Sequence, residues 1–398
     1  MLYSGFGGKF YIMKHILSLT IILFCAAHLT AQTYNPFIQQ KADEVNCDSV
    51  TSLLRKFESF GKKTPGTTAL TLTANWIKSY YERLGYTDIR RDSFEYMNNP
   101  MCNIIITKKG KLYPDTYLIV DAHYDTYNGT GTNDNGSGTA ILMEIARLLQ
   151  GTETNFSVKF IHFSAEEEGL IGSEHYVTSV ANPSGMDIKL VFNIDEVGGV
   201  KGLINNTVTC ERDEGPPQAN NEASWAFTDT LATLTEMYTT LNTEISYAYG
   251  SDYVPFQQNG YIITGFYETN ESPYVHSASD LLTNLDTNYV YRLAGASLAA
   301  TLYFAEAYDI GSGIHAVNDM KDHLKVSPNP CENSTIVHAL PGSTVTIYAF
   351  DGQKVYEGSI PSCGELKINT SFLSAGFYTL CTQHNDIRGR YSIKLVKN

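Results

Sequence analysis

Five apolar runs of strand length constrain the fold more than anything else in this chain: "CNIIITKKG", "TYLIVDAHYD", "VKFIHFSAEE", "IKLVFNIDEVG" and "YIITGFYET", between Cys102 and Thr269. Several are apolar without alternation, the pattern of strands buried on both faces of a parallel sheet. Helical segments separate or flank them. "TANWIKSYYERLG" has helical spacing and ends at a glycine, and "NDNGSGTAILMEIARLLQ" places Ile141, Ile145, Leu148 and Leu149 on one face, with Asp134 or Asn135 as the natural N-cap. Further helices are expected at about 221–241 and 288–307. This alternation over residues 32–310 predicts an α/β domain: a mixed, mostly parallel sheet with helices on both faces.

The flanking segments differ in kind. Residues 1–31 read as an export signal, with Lys14 as the basic region, "ILSLTIILFCAA" as the apolar core and "LTA" before Gln32 as the cleavage site; initiation at Met13 gives the more usual shape. No other stretch approaches a transmembrane run. Periodicity lapses across 311–325, a linker by composition. From 326 to 398, "STVTIYAFDGQKVYEG", "ELKINTSF", "AGFYTLCTQ" and "RYSIKLVK" are short alternating strands, predicting a small all-β sandwich with no cluster of acids, bases or nucleophiles.

A net charge of −14 argues against nucleic acid or an anionic membrane as partner, since both require clustered Lys and Arg. Cys25 leaves with the signal. The six remaining cysteines, Cys47, Cys102, Cys210, Cys331, Cys363 and Cys381, form no CxxC pair, so a structural zinc knot is not expected. Export permits disulfides, but the sequence does not define a pairing.

Three of the predicted strands end in potential ligands: His123 and Asp125 in "DAHYD", Glu166 to Glu168 in "AEEE", and Asp195 in "NID". In an open α/β sheet, ligands bind beyond the carboxyl ends of the strands. Asp134 opens the helix after the His123 strand, and His276 in "SPYVHSASD" follows the last strand. Imidazole and carboxylate without thiolate suit zinc or a harder divalent ion. Five such ligands exceed what one catalytic zinc takes and suit two ions sharing a carboxylate, which sit roughly 3.5 to 4 Å apart. Taken singly, each residue has an ordinary role as loop charge, helix cap, turn residue or surface imidazole, and the residues alone leave that reading open.

"HYDT", "NDNGSG", "AEEEGLIGS", "FNIDEVG" and "YVHSASD", in this order and spacing, resemble the motif series of the co-catalytic di-zinc aminopeptidases of metallopeptidase family twenty-eight, across residues 50–308. The resemblance implies the zinc aminopeptidase fold and two Zn2+ per chain: His123 and Asp195 hold one ion, Glu167 and His276 the other, and Asp134 bridges them. It makes Glu166 the general base and Asp125 the aspartate that orients the His123 imidazole, with Asp252 and Asp280 as supporting residues. Glu168 is then free to turn to solvent. Glu196 stands where many relatives have methionine; facing the pocket, it would favour a basic side chain or a free amine.

The tail, with "VSPNP", "VTIYAFDGQKV", "LSAGFYTL" and a closing "KLVK", resembles the C-terminal sorting domain of type IX secretion substrates. Together the resemblances imply a zinc metallo-exopeptidase acting on peptide or protein N-termini. They imply that the type IX machinery handles it, and that it is secreted or held at the surface of a bacterium with an outer membrane. Two other readings share the scaffold: a glutaminyl-peptide cyclotransferase working with one zinc, and a non-catalytic binding protein.

Overall fold

The computed structural model describes residues 32–248, 250–308, 324–349, 353–384 and 390–398. The expected export signal and positions 311–323 of the expected linker lie outside the described residues. Ten strands precede the tail: β1 (Asp88–Tyr96), β2 (Asn99–Lys108), β3 (Tyr113–His123), β4 (Glu153–Thr154), β5 (Phe156–Phe163), β6 (Asp187–Ile194), β7 (Thr207–Arg212), β8 (Asn242–Tyr247), β9 (Ile263–Glu268) and β10 (Ala307–Tyr308). β4 and β10 pair as a short ribbon, and the others form one sheet in the order β1-β2-β5-β3-β6-β9-β7-β8.

The four central strands, β5, β3, β6 and β9, run parallel, as strands connected by helical crossovers do. The apolar run in β2 does not join them, because it pairs antiparallel with β5. Its direction is set by the β1–β2 hairpin. Tyr96 pairs with Asn99, and the two residues between them, Met97 and Asn98, have φ of 46° and 62°, the turn that matches the twist of paired strands. The polar sequence of β1 carries no strand signal of its own. β7 is antiparallel to β9.

Alternate side chains of each strand point to opposite faces, which divides the core in two. Ile104, Ile106, Leu118, Val120 and Phe160 pack with helices α1 (Pro36–Asp43), α2 (Cys47–Glu58), α3 (Thr68–Leu84), α4 (Gly136–Leu149), α7 (Asn221–Tyr238) and α9 (Thr287–Phe304). Ile105, Ile119, Ile161 and Phe163 pack against Tyr176 of α5 (Ile171–Tyr176) and Phe256 of α8 (Tyr253–Gln258); α6 is a three-residue turn, Asn182–Ser184. Burying each such side chain stabilises by roughly 1.5–3 kcal/mol. Local signals set the helix ends: Thr67 caps α3 by accepting from Leu70 N, and Gly85 ends it in the left-handed conformation at φ 92°. The two later helices stop three residues earlier than expected: at Tyr238, where Thr239 is extended, and at Phe304, where a turn through Ala305 and the left-handed Glu306 leads into β10.

In the tail, β11 (Lys325–Ser327), β12 (Ser334–His338) and β15 (Glu365–Asn369) form one antiparallel sheet. β13 (Thr344–Ala349), β14 (Lys354–Ser359), β16 (Gly376–Gln383) and β17 (Arg390–Lys397) form another. Val337 and Ile368 of the first share a core with Val345, Ile347, Leu380 and Leu395 of the second, a sandwich built on a small apolar centre. All six described cysteines are free. Among the described residues, no helix is long and apolar enough to cross a membrane.

Candidate metal centre

Because β5, β3, β6 and β9 are parallel neighbours, their carboxyl ends open on one edge of the sheet, and the predicted side chains meet there. His123 is the last residue of β3, Glu166 and Glu167 come just after β5, Asp195 comes just after β6, and His276 lies in the loop after β9. Asp134 comes from the loop before α4, whose N-cap is Asn135, accepting from Gly138 N. Gly138 allows this approach, since a Cβ there would collide with the Ile194 carbonyl at the end of β6.

Two overlapping groups result. One ligand atom each from His123, Asp134 and Asp195 lies within 4.8 Å of the others, as does one each from Asp134, Glu167 and His276. Asp134 belongs to both: Oδ1 is 3.3 Å from His123 Nε2, and Oδ2 is 3.0 Å from His276 Nε2. His123 Nε2 is also 3.3 Å from Asp195 Oδ1, and His276 Nε2 is 3.0 Å from Glu167 Oε2. Glu166 stands beside these groups without joining either, its Oε2 3.9 Å from His123 Nε2. The chain reaches these positions through tight turns. Ala165, Glu196 and His276 have φ of 58°, 45° and 57°, a left-handed conformation that costs a residue with a side chain on the order of 1–3 kcal/mol.

The supporting contacts are specific. Asp125 lies behind His123, with Oδ1 3.6 Å from Nδ1. Its two oxygens also accept from Glu166 N and Glu167 N, each at 3.2 Å, so one carboxylate touches two of the strand ends. Asp280 accepts from Asn133 N at 2.7 Å and Asp134 N at 3.1 Å, and Ser251 donates to Asp195 Oδ2 at 2.6 Å. Asp252 is wholly buried nearby. Glu168 does not turn to solvent as expected: it is half-buried and accepts from Tyr96 OH at 3.2 Å.

Two groups lie outside what the sequence motifs mark. The Lys63 ammonium is buried 3.7 Å from the centre of the Phe57 ring and donates to Gly61 O and Thr130 O at 2.9 and 2.7 Å, tying down the loop that leads to Asp134. Burial pushes its pKa down to about 7, against the pull of Asp280, Glu58 and Asp125. Tyr127 donates its backbone N–H to Glu167 Oε1 at 2.9 Å, and its ring sits 5.3 Å from that of His276. Only the glycine-rich "GKKTPG" and "DTYNGTG" mark these stretches, and that composition predicts loops without predicting contacts.

Burial raises the Glu166 carboxyl well above the usual range, with Asp195, Asp252 and Asp125 adding to the effect and His123 opposing it. Burial, then the Asp134 charge, pushes Glu167 up to about 8. For Asp134, burial acts upward, but hydrogen bonds from His123 and His276 outweigh it and hold the carboxyl well below the usual range. Glu196 is pushed up to about 10 by burial, then by Asp134, Asp195 and Glu268, and accepts from Tyr267 OH at 3.2 Å. Acids packed this closely in a dry site favour a cation that neutralises several at once. The donor set of imidazole nitrogen and carboxylate oxygen suits zinc, and Asp195 Oδ1 is buried without a hydrogen-bond donor. The residues therefore fit divalent ions.

A mostly parallel α/β sheet with histidine and carboxylate donors gathered at its strand ends makes this an α/β protein with a candidate metal centre. The chain belongs to peptidase family M28, whose family model matches residues 103–301, half of its length. A second model, described as a secretion system C-terminal sorting domain, matches residues 325–398. Aminopeptidase YwaD of Bacillus subtilis is 32% identical over 222 residues, covering 53% of this chain and 46% of YwaD. The chain therefore spans less than half the length of that relative. Among solved structures, the Legionella pneumophila LapA aminopeptidase superposes with a TM-score of 0.60 at 23% identity, over 69% of this chain and 75% of LapA. A glutaminyl cyclase from Macrostomum lignano superposes at 0.61 with 14% identity, over 70% of this chain and 96% of the other. At these identities the structural matches speak for the fold alone.

Proposed function

We propose that the chain is a secreted metallo-aminopeptidase holding two zinc ions: His123 and Asp195 on one, Glu167 and His276 on the other, and Asp134 between them. The observation that carries this reading is the pair of donor groups sharing Asp134, assembled from separate segments of the chain. Zinc held there would supply Lewis acidity, able to polarise a carbonyl oxygen and to make water nucleophilic near neutral pH.

The protein's own groups do the rest. Glu166, unshared by either donor group and partly shielded from solvent, takes a proton from the attacking water and returns it to the leaving amine. Asp125 holds the Glu166–Glu167 backbone by both N–H groups and faces the His123 ring, so the base and two ligands keep their places. Tyr127 N–H fixes one oxygen of Glu167 and leaves the other toward His276. The tail, by its match to sorting domains, addresses the protein to the type IX secretion machinery and so to the outside of the cell or its surface.

Glu166→Gln tests the assignment. The variant is expected to bind the same amount of zinc and to lose roughly 100- to 10,000-fold in kcat on a free N-terminal peptide; undiminished turnover sinks the role. Zinc near two per chain separates the aminopeptidase reading from a cyclotransferase using one ion, and an N-acetylated peptide cleaved as fast as its unblocked counterpart argues for an endopeptidase.

A further inference from the structure

A cavity of about 490 Å³ opens next to Glu168 and Tyr127, with Tyr96, Met97, Tyr127 and Pro65 on its wall among the polar Lys62, Thr64, Asn99, Asn128 and Glu168. Its volume falls within the range of sites that hold small organic ligands. Two of its lining residues adjoin the candidate centre: Glu168 follows Glu167 in the chain, and Tyr127, whose N–H binds Glu167, has its ring 5.3 Å from that of His276. Tyr96 OH, from the last residue of β1, donates to Glu168 at 3.2 Å across this lining.

The two flanks of the centre are unlike. On the Asp195 side stands the mostly buried, acidic Glu196, bonded to Tyr267. On the other side Met97 and Tyr127 are 75% and 56% exposed, large apolar groups left in water at the cavity mouth. An enzyme that removes a terminal residue needs one closed end for that residue and one open end for the continuing chain. The closed flank suits the terminal residue, and the open flank suits the rest of the peptide.

We propose that this cavity seats the residue immediately after the scissile bond, and that it selects a large apolar side chain there, held between the Met97 side chain and the Tyr127 ring. The inference rests on the aminopeptidase reading and adds to it a substrate class: peptides whose second residue is aromatic or large aliphatic. Met97 sits at the tip of the two-residue hairpin turn with its side chain 75% exposed, and its φ of 46° is one that glycine adopts without strain, so the turn can survive loss of the side chain.

The zinc-loaded full chain is assayed on leucinamide, Leu-Gly and Leu-Phe, as parent, Met97→Gly and Tyr127→Ala. In the parent, kcat/KM for Leu-Phe is expected to exceed that for Leu-Gly by about tenfold, the scale of partly burying one aromatic side chain. Each variant should lower this ratio several-fold, chiefly through KM. A parent ratio near one, or a ratio that neither variant moves, overturns the inference while leucinamide turnover leaves the aminopeptidase reading standing. A parent that cleaves none of the three loses both. Should Tyr127→Ala unfold, Met97→Gly on the exposed hairpin tip decides the question alone.

Discussion

The α/β region and the tail are both built on dry apolar cores, yet they treat polar groups in opposite ways. Among the described residues of the tail, the fully buried polar ones are small and neutral, such as Thr335, Ser343 and Thr370. Its one His–Glu pair among the described residues, His338 with Glu365, is exposed. In the α/β region, Asp121, His123, Asp125, Asp134, Asp195, Asp252 and Glu268 are all buried, most of them around one edge of the sheet. A buried ionisable group costs stability unless something neutralises it. So many acids buried at one edge call for a cation there, and the contrast agrees with the proposal that chemistry belongs to the α/β region and recognition to the tail.

The sharpest way to break that contrast is to remove the carboxylate common to both donor groups. Asp134→Ala leaves His123 and His276 without their shared partner and should abolish retention of both ions. The expected loss of turnover is roughly 10,000-fold or more, the several kcal/mol a metal centre supplies. Metal analysis alongside the rate assay checks it. Zinc retained at two per chain would show that Asp134 does not join the two groups.

How much of the fold and the site is legible in the sequence depends on where each residue sits. His123, Glu166, Glu167 and Asp195 are readable because each ends or adjoins an apolar run, and parallel strands bring such ends together. The direction of β2 is not readable, because an apolar run in a buried strand looks the same whichever way it runs; the two-residue turn at Met97–Asn98 decides it. Lys63 and Tyr127 escape for another reason. They act from loops, where no periodicity links a side chain to a neighbour more than sixty residues away, such as Thr130 for Lys63. Glu168 looks solvent-facing in the sequence because its partner, Tyr96, comes from a strand that polar β1 conceals.

A smaller effect sharpens the comparison through pH. In the metal-free centre the hydrogen bond to Asp134 raises His276 to about 9, with Glu167 adding to it and burial opposing. A raised pKa means that the imidazole keeps its proton below about pH 9, whereas a zinc ligand must be neutral. With His276 as the proposed ligand, zinc binding is expected to displace that proton, and affinity to fall as pH falls. The apparent Kd for zinc, measured against a competing chelator at about pH 6, 7 and 8, is expected to weaken by about tenfold per pH unit for each proton displaced. An affinity independent of pH over that range would mean that no imidazole is being deprotonated.

The mildest test removes the tail. If chemistry and address are separate, a chain ending at Tyr308 should keep kcat/KM for leucinamide within about twofold of the full chain, because every candidate ligand, the base and their hydrogen-bond partners lie before that residue. The tail has its own core in Val337, Val345, Ile347, Leu380 and Leu395, and the sheet of the α/β region is complete without any of its strands. Among the described residues neither region borrows a strand from the other, so cutting between them breaks no described ladder of backbone hydrogen bonds. Transport should respond in the opposite sense: a producing host is expected to retain the shortened protein and export the full chain. A truncation that keeps folded secondary structure by circular dichroism but loses hydrolysis would place part of the working site in the tail, and the division drawn from buried charge would fail.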